Sequence, residues 1–214
     1  MANDKLSIYN TALTQFIGTR KLASLTENRE PRRILDDIWD FEFEKFILEQ
    51  GLWNFAIRTV KADYSPSVEP DFGFRYAFDK PEDWIRTAAI ASDEFFSNPL
   101  TATQYRDEAG FWFSSLQTIY VRYICMDPQY GLNYALWPAT FSQWVACELA
   151  QRAVLALSQD KDLKAYLEKK SKSLLVDARS KDAMNDGTQF QPRGRWVSDK
   201  GGWSGTRFDY GWRR

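Results

Sequence analysis

Gly51-Leu52-Trp53-Asn54-Phe55-Ala56-Ile57-Arg58 is the stretch at which this chain changes period. Upstream, apolar residues recur at helical spacing. From Trp53 onward Trp53, Phe55 and Ile57 alternate, as side chains do on a pleated strand. The same two-residue period returns at Phe72, Phe74, Tyr76 and Phe78, and again at Ile119, Val121 and Tyr123. These runs are aromatic or β-branched and are bounded by Pro, Gly, Asp or Ser, which reads as strands. Asp107–Gly110 separates Thr103–Arg106 from Phe111–Phe113 and predicts a hairpin loop, with Gly110 supplying a positive φ.

On the N-terminal side, Ile8, Tyr9, Ala12, Leu13 and Phe16 predict a helix over residues 4–17 that Gly18 stops. A second helix is expected from Pro31 to a C-cap glycine at Gly51, with Ile34, Leu35, Ile38, Trp39 and Phe46 as its stripe, widened by Phe41 and Phe43. On the C-terminal side, Pro138 opens a helix with Phe141, Trp144, Val145, Leu149 and Ala153 on its buried stripe. A last helix over 160–185 keeps Leu163, Leu167, Leu174 and Ala178 on one edge, interrupted at Lys170–Ser171. Residues 186–214 hold six Gly, six aromatic and six basic residues and almost no aliphatic ones, too little to build a core. The expected fold class is therefore α+β. Residues 1–51 and 136–185 supply a four-helix bundle, 52–135 an inserted antiparallel β module, and 186–214 an extended C-terminal arm.

The 214 residues carry 28 Lys+Arg against 29 Asp+Glu, so no global field draws the chain to nucleic acid or membrane. Histidine is absent, which removes His-based triads, Cys–His dyads, imidazole metal sites and His pH switches together. Cys125 and Cys147 have no zinc-like spacing. Two buried thiols in a reduced cytosol are the expectation, with a single disulfide as the alternative. The N-terminus lacks the pattern of a signal peptide, and no run approaches the length of a membrane span, so a soluble, unexported protein is expected.

Catalytic constellations are hard to assemble. Asp36–Asp37, Asp40–Glu44, Asp93–Glu94 and Asp107–Glu108 are carboxylate pairs on helix faces or turns, and nothing in the pattern converges any two on a cleft. There is no GxSxG, and Ser171-Lys172-Ser173 sits on a charged helix face. No glycine-rich phosphate loop or βαβ unit occurs. Strand aromatics with Arg75, Arg86, Arg106 and Arg122 could stack bases, but Asp71, Asp79, Glu82 and Asp83 dilute the field. The Arg/aromatic mixture of 186–214 fits either a nucleic-acid-binding segment or a protein interface. With 16% aromatic residues and nine Trp, protein contact is the leading expectation.

Six short motifs occur in a characteristic order. They are Tyr9-Asn10-Thr11-Ala12-Leu13 with Ile17-Gly18, then Leu22-Ala23-Ser24-Leu25-Thr26-Glu27, then the Gly51–Arg58 stretch. Phe78-Asp79-Lys80-Pro81-Glu82-Asp83-Trp84-Ile85-Arg86 follows, then Ile119–Pro128, then Trp137-Pro138-Ala139-Thr140-Phe141 through Val154-Leu155. In this order, over residues 6–185, the chain resembles the head-to-tail adaptors of short-tailed bacteriophages, the tail tubular protein A family. Its 186–214 segment is longer and richer in Gly and Trp than the family pattern.

The resemblance implies a structural protein of the virion, made in the host bacterial cytoplasm, with no enzymatic activity, no cofactor and no metal. It implies a homo-oligomeric, dodecameric ring between the portal protein and the tail nozzle protein, with genomic double-stranded DNA passing through its channel and no membrane contact. On that reading Trp196, Trp203, Arg207, Trp212, Arg213 and Arg214 are the expected portal-docking residues, and Phe95 and Phe96 the expected nozzle-facing ones. The alternative is a nucleic-acid-binding module that uses the Arg/aromatic C-terminal segment.

Overall fold

The computed structural model describes residues 3–65, 68–71 and 73–185. Around its central helix, α4 (Ala139–Leu157), pack α1 (Lys5–Thr11), α2 (Glu30–Asp40) and α5 (Lys161–Ala183). Asp4 caps α1 by accepting Ser7 N–H at 2.6 Å, and α1 runs on into a π-helical turn, Ala12–Ile17, that also lies on α4. Pro138 stands just ahead of α4 as its N-cap, where a missing N–H costs nothing. Asp160 opens α5, accepting the N–H groups of Asp162 and Leu163 at 2.9 Å each.

Among the described residues, the strands fall between residues 57 and 125. β1 (Ile57–Asp63), β6 (Thr118–Cys125) and β3 (Trp84–Ala91) form one antiparallel sheet in the order β1-β6-β3. β2 (Tyr76–Asp79), β5 (Phe111–Ser114) and β4 (Tyr105–Glu108) form a second, in the order β2-β5-β4. The β4–β5 loop shortens to Ala109–Gly110, with φ of +49° and +84° at the two residues, a pairing that suits the right-handed twist of a hairpin. Because successive strand residues point to opposite faces, β6 joins the two cores. Ile119, Val121, Tyr123 and Cys125 enter the cluster between the sheets with Phe78, Ile90 and Trp112, while Ile124 and, from β3, Ile85 enter the helical core.

The expected four-helix bundle is not what the chain forms. It is α+β, but with five α-helices and two separate three-stranded sheets among the described residues. The helix predicted from Pro31 to Gly51 breaks after Asp40, and α3 (Phe43–Glu49) starts anew beyond Glu42, which is left-handed at φ +51°. The reason is burial. On one straight helix Leu48 would lie about 180° around the axis from Trp39. Both are buried, Trp39 at 3% exposure and Leu48 at 0%, because the break turns the second half. A left-handed L-residue costs about 1–2 kcal/mol, less than the burial of a leucine side chain returns.

The period change at Trp53 is also displaced. Trp53 and Phe55 are not strand residues: Asn54–Ala56 is a 3₁₀ turn, and the strand begins at Ile57. The Trp53 ring turns into the helical core, 4.7 Å from Phe141 and 6.0 Å from Trp144 between centroids, and its Nε1 donates to Ile47 O at 3.2 Å. Gly51 has no positive φ and so is not a left-handed C-cap; it serves this packing, since a Cβ there would sit 2.9 Å from the Trp53 ring. Cys125 and Cys147 are free, buried thiols. The expected arm, 186–214, lies outside the described residues.

Candidate functional site

The side chains that could carry chemistry are tied into the fold. Asp36 accepts the Tyr9 hydroxyl at 2.9 Å, and burial together with that bond raises the Tyr9 pKa. Glu44 accepts Trp39 Nε1 at 2.9 Å and the Tyr134 hydroxyl. Asp83 accepts Arg58 at 2.9 Å and the Tyr123 hydroxyl at 3.1 Å. Asp107 takes Lys80 and the Thr87 hydroxyl, and Asp93 takes the backbone N–H groups of Ser97 and Asn98, which hold its carboxyl below the usual range. Each of the four carboxylate pairs thus has one member, Asp36, Glu44, Asp93 or Asp107, committed to a bond within the fold.

Ser171, expected on an exposed face, is buried at 4%. It donates to Glu148 Oε2 at 2.7 Å and accepts Trp144 Nε1 at 3.2 Å, while Arg152 Nε reaches Glu148 Oε1 at 3.2 Å. This chain of four polar groups ties α4 to α5. Two signals in the sequence announce it: a glutamate inside the apolar run Trp144–Ala150 and a serine on the apolar edge of α5. Among the described residues, no group of three His, Cys, Asp or Glu side chains could hold a metal ion, and no helix is long and apolar enough to cross a membrane.

What the fold leaves open is apolar contact area. In the loop after β3, Phe95 projects at 79% exposure, whereas Phe96, left-handed at φ +56°, lies under the Arg122 guanidinium, 4.0 Å from the ring centroid. The two predicted nozzle-facing residues are thus separated: one is presented, and the other pins the loop to the β1-β6-β3 sheet. The same end of the β module bears a cleft of about 660 Å³ walled by Phe74, Leu100 and Leu116 and edged by Ser92, Thr103 and Gln104. Of the four arginines considered for base stacking, Arg122 is occupied by Phe96, and Arg86 donates to Glu49 O at 3.4 Å.

A second projection reverses the sequence reading, which placed Phe41 with Phe43 on the widened buried stripe. At the α2–α3 elbow Phe41 is 81% exposed, between buried Trp39 and Phe43. The detectable signal was its position, about 200° around the helix from Trp39, among Asp37, Asp40 and Glu42. At the far end of α3 a cleft of about 540 Å³ is lined by Gln50, Gly51, Leu52, Trp53, Arg86 and Arg179. Trp196, Trp203, Arg207, Trp212, Arg213 and Arg214, the predicted portal-docking set, lie outside the described residues. No protein-family model matches the chain, and no curated protein matches it.

Proposed function

We propose that this chain is a structural head-to-tail adaptor of a short-tailed bacteriophage, forming a ring between the portal and the tail nozzle around the DNA channel. The observation that carries this reading is the pair of presented aromatics. Phe41 and Phe95 stand largely in water, Phe95 in a turn capped by Asp93, while Asp36, Glu44, Asp83, Asp107 and Glu148 are engaged in internal hydrogen bonds. Exposed aromatics on fixed supports are the anchors of protein interfaces, because little freedom remains to be lost on binding.

The collinear motifs supply the identity of the assembly, and with it a copy number of twelve. The charge balance of 28 against 29 suits a wall past which a polyanion slides, since a strongly basic wall would hold DNA through counterion release. Imaging of virions carrying a labelled copy tests the proposal directly. The label is expected as a closed layer between portal and nozzle. A virion lacking it there, or a purified chain that retains duplex DNA with a steep salt dependence, overturns the reading, the latter in favour of a nucleic-acid-binding module.

A further inference from the structure

We infer that a second copy of this chain seats its Asp40-Phe41-Glu42 knob in the Arg86/Arg179 cleft at the opposite end of α3. The inference deepens the adaptor reading by naming a subunit contact, and it rests on that reading for the identity of the occupant.

The knob is preformed. Phe41 is 81% exposed, and the left-handed Glu42 beside it cannot relax into helix without pulling Phe43 or Trp39 out of the core, where they are 0% and 3% exposed. Trp39 is further held by the bond from its Nε1 to Glu44 at 2.9 Å. Asp37, Asp40 and Glu42 are exposed around the ring, against two exposed cations, Lys45 and Arg152, the second already paired with Glu148. Asp40 keeps its side chain 77% exposed, with Lys5 no nearer than 3.8 Å.

The cleft offers the converse. Its apolar wall is Leu52, 47% exposed, backed by the Trp53 ring, and Gly51 adds no Cβ to fill it. Its rim is Arg86 and Arg179. Each guanidinium directs an N–H to a carbonyl at the end of α3, Arg86 to Glu49 O and Arg179 to the C-cap Gln50 O, which holds the two head groups at the mouth. A guanidinium carries five N–H donors, so both can still take a carboxylate. Asp182 also lines the cleft, its Oδ2 accepting Asn54 N–H at 3.0 Å, so the two arginines stand against one acid there.

An acid–aromatic–acid knob thus matches an arginine-rimmed apolar cleft in charge and in chemistry. A small anion would satisfy the arginines and leave Leu52 in water, whereas the knob answers both. Within one chain the two cannot meet, because the seven residues of α3, about 10 Å of helix, hold them apart. The occupant is therefore another molecule that carries this knob, and every copy does.

The test is sedimentation of the purified full-length chain across a wide concentration range, with melting temperature followed in parallel. Concentration-dependent self-association is expected, weakened about tenfold or more by Phe41→Ser, the scale of losing an interface anchor. Tyr166→Ser, an exposed aromatic (58%) on α5 outside the contact, should leave it unchanged. Glu42→Arg and Arg179→Glu should each weaken association, and combining them in one chain should restore it in part. Because Arg179 also caps α3, Leu52→Glu serves as the cleft variant if Arg179→Glu lowers the melting temperature. A chain that stays monomeric throughout, or a Phe41→Ser variant that associates like the parent, overturns the contact. Attachment to portal-bearing heads is read separately. A monomeric chain that still attaches sinks this contact and leaves the adaptor reading standing, whereas self-association through Phe41 without attachment supports the contact and sinks the adaptor reading.

Discussion

Helices α4 and α5 lie against each other and are built on opposite plans. In α4, ten of 19 residues are buried, spread around nearly its whole circumference, because α1, α2, α5 and the π-helical turn all rest on it. In α5, five of 23 residues are buried, on one edge, and the rest meets water. A helix enclosed on several sides accepts apolar residues at any angle, while one with a single neighbour keeps a narrow stripe. The two plans meet at Glu148 and Ser171, where each helix turns a polar group inward and the pair satisfies itself.

That contrast can be broken or sharpened by four measurements. The largest effect is expected from Trp144→Ala, which empties the centre of the helical core where Trp53 stacks on it and Phe141 packs at a tilt; equilibrium unfolding should show a loss of about 3–5 kcal/mol. A loss below about 1 kcal/mol would mean that α4 is not the enclosed helix. Ser171→Ala is next. It strands Trp144 Nε1 and removes one donor from Glu148, so unfolding should register about 1–3 kcal/mol. A neutral result would show that the α4–α5 tie is purely apolar.

Raising the pH probes α4 again. Burial pushes the Cys147 thiol from its ordinary 9 up to about 12. The folded protein therefore keeps a proton that the unfolded chain releases near pH 9. The stability this thiol contributes is fully present below pH 9 and is lost as the pH rises toward 12. Cys147→Ala should flatten part of that decline in pH-dependent melting, and an unchanged profile would show that the thiol reaches solvent. Tyr9, Tyr123, Tyr134 and Cys125, also raised by burial, act in the same direction. The smallest effect belongs to α5: Val176→Ser, at a position 63% exposed, should shift stability by no more than about 0.5 kcal/mol. A larger loss would reveal a neighbour on that face.

Much of the architecture was legible because local chemistry specified it. Asp160, Pro138 and Gly110 stand at helix starts and a hairpin turn whose backbone demands are short-range, and each element begins or turns within a residue or two of where those residues place it. Alternation along Ile119, Val121 and Tyr123 marked the buried face of β6 for the same reason, since all three are 0% exposed. The elbow and its cleft were not legible. Phe41 and Phe43 are the same residue type two positions apart, and which of them meets water depends on where Leu48 and Trp39 find partners. Leu52 and Arg179 are 127 positions apart and meet only because α5 returns to the end of α3.

By itself, then, the sequence determined the α+β class, the strands' location in the middle of the chain, the starts of α1 and α5 and the absence of histidine chemistry. These follow from side-chain period, from cap and turn stereochemistry and from composition, all of which act over a few residues or over none. Tertiary structure alone decided that the second helix breaks at Glu42, that Trp53 turns into the helices instead of the sheet, that the strands divide into two sheets, and that Ser171 faces Glu148. Each of those outcomes depends on which distant surface covers an apolar or polar group. The energy of covering it, a few kcal/mol per large side chain, exceeds the local preferences of about 1 kcal/mol that a sequence displays.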